Sequence, residues 1–257
     1  MKSQRDIFKG ITFTITNLEY TVETFQKDFS KKLKNEQKKK TRGVWIQVPI
    51  ALSILIPVLV NEFKFEFHHA KPTYLMLTRW LPTEEKNLLY NGPFSLVGVG
   101  GLIINSDNQV LLIKEKYTKN AKTQKYKLPG GLIDQGESLA VAAVREVREE
   151  IGVETEAISL VPWFRHTQNL KHRFGLSDIY FVVRLKLLSE SLSIDKNEIK
   201  IAEWIDLDQV LDKSWEDIYP MHREIITIAT NGKQKDLSLN SLYNTVQYIS
   251  SSYTNKK

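Results

Sequence analysis

The 257-residue chain has no cysteine, which excludes disulfides, thiol nucleophiles and cysteine-ligated zinc. No continuous apolar core stands near the N-terminus, so no secretory signal is expected. Asp6, Glu19 and Glu23 count against a mitochondrial transit peptide, although that address stays open. Long apolar runs are also scarce. The nearest, residues 43–61 (GVWIQVPIALSILIPVLVN), is marginal for a membrane span and is interrupted by Gln47, Ser53 and two prolines. It reads better as a strand over 44–47 followed by a helix opened by Pro49. No internal repeat is present. The net charge of +6 is local: residues 27–42 hold eight basic and two acidic side chains, so the rest of the chain sums to zero. The basic balance therefore says little about any catalytic domain. The run KKKTR (Lys38, Lys39, Lys40, Arg42) offers a nuclear address or a contact to nucleic acid or acidic lipid, with a solvated helix face as the plainer reading. A cytoplasmic or nuclear protein without a membrane span is expected.

The chain does have an unusual arrangement of carboxylates. Residues 131–153 read GLIDQGESLAVAAVREVREEIGV. At about 100° per residue, Ala140, Val144, Val147 and Ile151 form an apolar stripe, and Glu146, Glu149 and Glu150 gather roughly opposite. Ser138 is placed to cap the N-terminus of this helix and Gly152 to close it. Glu146 and Glu150 stand at i,i+4 with like charge, which an isolated helix disfavours. A face made only for solubility would interleave lysine four residues after glutamate. Arg145 can pair with Glu149 and relieve part of the repulsion. Clustered hard oxygen ligands suit Mg²⁺ or Mn²⁺. A solvated acidic face is the competing reading, and helix geometry alone leaves both standing.

The spacing goes further. Glycine, five residues, glutamate, seven residues, Arg145-Glu146, an aliphatic residue, one residue, Glu149-Glu150, one residue, glycine and an aliphatic residue match the Nudix box at all nine specified positions. The chain thus resembles the Nudix hydrolases. That resemblance implies an α/β/α sandwich around a mixed sheet over residues 94–230. It also implies that Glu146, Glu149 and Glu150 bind divalent metal, Mg²⁺ or Mn²⁺, with the Gly130 carbonyl of Leu128-Pro129-Gly130 as a further ligand. Arg145 would hold a box glutamate in place, and Glu137 would support the metal shell. Bound cations neutralise charge on a pyrophosphate and activate water, while a nearby glutamate takes the proton. Glu149 is the first candidate for that base. Glu198, in Asn197-Glu198-Ile199, is the second, with an exposed loop acid as its competing reading.

The flanking sequence is of α/β type. Two apolar runs within 94–116 are joined by the turn-forming cluster 105–108, as in a hairpin. Strands are expected over 158–165 and 178–187, and helices from Leu207 and over 218–229. Residues 1–90 form a separate small α/β domain, with further strands over 63–69 and 74–80. Residues 231–257 are a polar tail in which Leu242, Val246 and Ile249 could line a short helix. His68 and His69 would point to opposite faces of a strand, making a shared metal improbable and a packed or hydrogen-bonded pair preferable.

The segments GVWIQVP, LIP, FHHA and LTRWLP, with Arg165-His166-Thr167 and the run 174–180, resemble one Nudix subgroup. It comprises the fibroblast-growth-factor-antisense-type proteins and the plant hydrolases of ADP-ribose and NADH. The subgroup implies an N-terminal domain that assists dimerisation and substrate binding, hence a homodimer acting on a nucleoside diphosphate-linked small molecule. ADP-ribose comes first, with NADH or NAD next. His166 and Asp178 are candidates for substrate contact. Phe174, like Trp80, Tyr126 and Trp163, is a candidate for stacking on adenine, although large aromatics are commonly core. The substrate markers are incomplete: no proline-tryptophan array and no coenzyme A signature flank the box, and Pro162 follows it early. An RNA-cap hydrolase using the basic run, a nucleotide-binding regulator and a dimerising interaction protein are the other readings.

Overall fold

The computed structural model describes residues 1–90, 92–117, 124–189, 191–232 and 235–239, and within it Met1–Phe94 and Ser95–Lys257 form two units. The first is built on a five-stranded sheet of β1 (Lys2–Arg5), β2 (Ile11–Thr14), β3 (Gly43–Pro49), β4 (Glu66–Lys71) and β5 (Tyr74–Trp80), in the order β1-β2-β3-β5-β4. Helix α1 (Val22–Lys38) makes the crossover that lets β2 and β3 pair in parallel. It opens on a capping box of Thr21 and Thr24. Phe25, Phe29 and Leu33, spaced by four, are buried against the sheet, while its lysines carry the outer face. Phe29 stacks on Phe25 at 5.1 Å and meets Phe13 and Phe63 edge-on.

Two expectations for this unit are corrected. Pro49 ends β3 rather than opening a helix. A 3-10 turn follows over Ile50–Leu55, with a kink at Leu52 (φ −113°, ψ 26°), and the α-helix α2 (Ile56–Asn61) carries the second proline of the run, Pro57, in its first turn. The apolar stretch is thereby split into short elements, and no helix among the described residues is long and apolar enough to cross a membrane. The His68–His69 pair does not alternate cleanly. A bulge after Phe67 breaks the β4–β5 register, and the two Nδ1 atoms lie 2.7 Å apart as a hydrogen-bonded pair.

The second unit holds β6 (Ser95–Ile103), β7 (Gln109–Glu115), β8 (Gly130–Leu132), α3 (Leu139–Ile151), β9 (Thr155–Leu170), β10 (Leu176–Leu187), β11 (Ile199–Asp206), α4 (Leu207–Leu211), α5 (Pro220–Thr230) and β12 (Leu237–Ser238). The main sheet runs β12-β9-β10-β6-β8, mixed because β6 and β10 are parallel. The turn at 105–108 forms, but its strands diverge: β6 pairs with β10, whereas β7 pairs with β11 in a second, two-stranded sheet. Alternate residues feed two cores. Val99, Ile103, Leu111, Ile113, Val183 and Leu185 pack with α3, and Leu102, Val110, Leu112 and Val182 pack with α4 and α5. Helices on both sides of the strands make this the α/β/α sandwich expected. The polar tail begins later than its composition suggests. β12 extends the sheet beside β9, and Asp236 binds Arg184 and Ser159. The helix proposed around Leu242, Val246 and Ile249 lies outside the described residues.

The aromatic cluster makes the N-terminal unit sensitive to a single truncation. Phe29→Ala should cost roughly 3–5 kcal/mol of stability, read as a lower denaturation midpoint. A loss below about 1 kcal/mol would show that Phe29 is not packed as described.

Candidate active site

Ser138 caps α3 by accepting from Val141 N at 3.3 Å, and Gly152 ends the helix in the left-handed conformation (φ +70°). These ends place the helix as expected, but its buried face is rotated. Ala142, Ala143, Val147 and Ile151 are buried, while Ala140 and Val144 are only partly covered and line a groove with exposed Val141. The rotation carries one of the three glutamates inward: Glu150 is 6 % exposed.

Arg145 organises the other carboxylates. Nε and Nη2 donate to the two oxygens of Glu137 at 2.9 Å each, Nη1 donates to Glu146 and Glu149 at 2.9 Å, and Nη2 also reaches the Leu132 carbonyl at 3.0 Å. Glu137 also accepts from Asp134 N, and its contacts with Arg145 hold its carboxyl below the usual range. Glu150 takes a different partner, accepting from Gly130 N at 2.7 Å. Burial pushes its carboxyl up to about 7, against the pull of Lys127, and burial raises Glu146 as well.

Two glycines let the backbone come this close. Gly130 has φ +142°, and a Cβ there would lie 2.1 Å from the Val99 carbonyl. A Cβ on Gly131 would lie 2.5 Å from a Glu146 oxygen. The Leu128–Gly131 turn therefore presents bare backbone to the Glu150 and Glu146 carboxylates. Lys127, whose Nζ pairs with Glu115, precedes this turn.

The remaining candidates are not brought together. Arg165 and Thr167 pair across the sheet with Tyr180 and Asp178, whereas His166 pairs with Ile179 on the alternate face. Asp178 is buried and already held by Arg165 Nη2 at 2.9 Å, and His166 is exposed. Phe174 sits beyond the end of β9 and is 99 % exposed. Glu198 is exposed in the loop before β11. That loop is tied to the end of α3 by Ser193 N to Ile151 O and Asp195 N to Glu150 O. Tyr126 belongs to the core. Sequence reasoning missed Lys127, Arg165, Tyr180 and His222. Arg165 and Tyr180 lie in runs read for other residues, and Lys127 and His222 bear no local signal.

As they stand, no three acidic or histidine side chains among the described residues form a metal-binding group: Arg145 Nη1 engages Glu146 and Glu149, and Gly130 N engages Glu150. The donor set nevertheless fits a hard divalent cation. Glu146 and Glu150 are carboxylates whose charged forms are penalised by burial, and a cation is what would offset that penalty.

A family model described as NUDIX domain matches residues 95–225, and a second, described as Nudix hydrolase domain, matches residues 1–81. Nudix hydrolase 8 of Arabidopsis thaliana is 40% identical over 181 residues, 70% of this chain and 48% of that protein. The chain thus spans about half the length of that relative. Nudix hydrolase 2 of the same plant is 37% identical over 194 residues, 74% of this chain and 68% of its own length. Nucleoside diphosphate-linked moiety X motif 6 of Xenopus laevis is 37% identical over 166 residues, covering 62% of this chain and 70% of that protein. Among solved structures, a NUDIX hydrolase from Nitrosomonas europaea is similar over 57% of this chain and 94% of its own, at 25% identity and a TM-score of 0.46.

The raised Glu150 carboxyl fixes a pH dependence for the protein in chelator. A carboxyl raised in the folded state contributes stability below the ordinary carboxylate range and loses it as pH climbs through about 7. Glu150→Gln should therefore be nearly neutral at pH 4.5 and more stable than wild type by on the order of 2–3 kcal/mol at pH 8. Denaturation of both proteins in EDTA measures the difference. A pH-independent difference would contradict the burial of this carboxyl.

Proposed function

Because this chain belongs to the Nudix hydrolase family, we propose that it cleaves the pyrophosphate bond of nucleoside diphosphate derivatives with the help of a divalent metal. Our first choice of substrate is ADP-ribose, giving AMP and ribose 5-phosphate, with NADH or NAD next. The observation that carries the reading is the division of labour on α3. Arg145 draws Glu137, Glu146 and Glu149 together while Glu150 is buried against the Gly130 backbone. A solvated acidic face would have no reason to bury Glu150.

In this reading the Gly130 carbonyl with Glu146, Glu149 and Glu150 would hold Mg²⁺ or Mn²⁺. When bound, such a cation neutralises charge on the pyrophosphate and makes water a better nucleophile. The protein's own groups do the rest. Glu137 anchors Arg145, and Arg145 fixes the direction of Glu146. Glu149, 60 % exposed at its side chain, can leave Arg145 without disturbing the core, and takes the proton from the attacking water. Glu198 is the second candidate for that role. Arg165, clamped by Asp178, sets a cation on the sheet face that also carries Tyr180, so Asp178 acts on substrate through Arg165. His166 and Phe174 would meet substrate only from the alternate face and from the β9–β10 connection.

The substrate choice is supported by the subgroup likeness of both units, and the name of the Xenopus relative refers to a nucleoside diphosphate-linked moiety. The same likeness supports a homodimer, which light scattering would check.

A panel of ADP-ribose, NADH, NAD, nucleotide sugars and capped RNA with Mg²⁺ or Mn²⁺ tests the proposal on wild type and Glu149→Gln. ADP-ribose should be the best substrate, and the variant should lose about two orders of magnitude or more in kcat. Equal turnover by the variant would remove Glu149 from the base role. No cleavage of any member by wild type would favour a nucleotide-binding regulator.

A further inference from the structure

The Leu128–Gly131 turn supplies the backbone part of the site, and it is held by bonds to several different elements. Lys127 N donates to Ile113 O of β7 at 2.9 Å, and Pro129 O accepts from Gly101 N of β6 at 2.9 Å. Gly130 N donates to Glu150 of α3. Pro129 has no N–H to place. The N–H of buried Leu128 donates to Nδ1 of His222 at 3.3 Å. His222 stands in the first turn of α5, 94 residues further along the chain.

His222 has no part in the reaction proposed above, yet it is only 5 % exposed. Its ring lies edge-on to Tyr180 at 6.2 Å, and Tyr180 in turn fills the space over Gly98 and Gly100 on β6. Nδ1 can accept a hydrogen bond only in the neutral imidazole with its proton on Nε2. Burial, with Lys127 and Arg165 nearby, pushes the imidazole down to about 3, in keeping with that form. A core leucine at this place would fill the volume but leave a buried N–H without a partner.

We propose that His222 is a positioning residue of the hydrolytic site: by accepting the Leu128 N–H it fixes the turn that sets the Gly130 backbone against Glu150 and leaves Gly131 open to Glu146. It touches neither substrate nor the reacting atoms and acts through the turn. The proposal rests on the hydrolase reading for its catalytic consequence, while the link itself is measurable without turnover.

The test compares His222→Asn, His222→Gln and His222→Leu. The Asn carbonyl oxygen falls near the place of Nδ1, whereas the polar end of Gln reaches beyond it toward Nε2. Three quantities are read: exchange of the Leu128 amide without substrate or metal, Mn²⁺ affinity by electron paramagnetic resonance, and kcat with KM. Gln and Leu should speed Leu128 exchange about tenfold, weaken Mn²⁺ about fivefold and lower kcat about tenfold with little change in KM. Asn should stay within about threefold of wild type in all three. A need for bulk or general polarity would instead favour Gln over Asn. Asn and Gln behaving alike, or Leu128 exchange unchanged in both, overturns the proposal. If His222→Leu does not fold, the Asn–Gln comparison decides alone. If wild type hydrolyses nothing, the hydrolase reading fails, and the exchange comparison still decides whether His222 holds the turn.

Discussion

The guanidinium of Arg145 has five N–H donors, and all five are used: two on Glu137, one each on Glu146 and Glu149, and one on the Leu132 carbonyl. A lysine could not reproduce this, since one ammonium has three donors and no planar fork. The contacts set much of the local geometry. They draw like-charged side chains to one cation and tie the loop before α3 back onto the helix. They also leave Glu150 as the box glutamate without an arginine. Glu150 is accordingly the carboxyl that burial perturbs most strongly, and its partner is the Gly130 amide.

From that constraint the glycines acquire a physical reason. Gly130 and Gly131 are where side chains would strike the Val99 carbonyl and the Glu146 carboxylate. The turn they form is pinned from β6, β7, α3 and α5. The site is thus assembled by elements spread over more than a hundred residues, although its acidic groups come from one short helix. The two cores on either side of the strands hold α3 and α5 in the positions from which they reach this turn.

The parts legible in the sequence were those written in local spacing. Ser138, Gly152 and the Arg145–Glu149 pair follow from a helix of 3.6 residues per turn and its ends, and the bounds of β5 are met to the residue. Features set by tertiary contacts were not legible. The stripe through Ala140 and Val144 was off by a rotation, because helical periodicity cannot tell a covered apolar residue from one lining an open groove. The same rotation hid the burial of Glu150. β1, β2 and the length of α1 escaped notice because strands of four residues and a lysine-rich helix carry little periodic signal. Asp178 reads as a candidate for substrate contact, and its pairing with Arg165 emerges only from the β9–β10 register. His222 bears no signal at all, since its partner is a backbone amide 94 residues away.

The account stands on α3 and the Gly130 turn forming one cation site. Its most direct measurement is a Mn²⁺ titration followed by electron paramagnetic resonance at neutral pH without nucleotide, on wild type, Glu146→Gln, Glu150→Gln and the control Glu154→Gln. Glu154 pairs with Arg148 beyond the end of the helix and lies outside the proposed ligand set. Wild type and the control should share one tight site, which the other two variants weaken by about tenfold or more. Equal affinity in all four proteins would contradict the account.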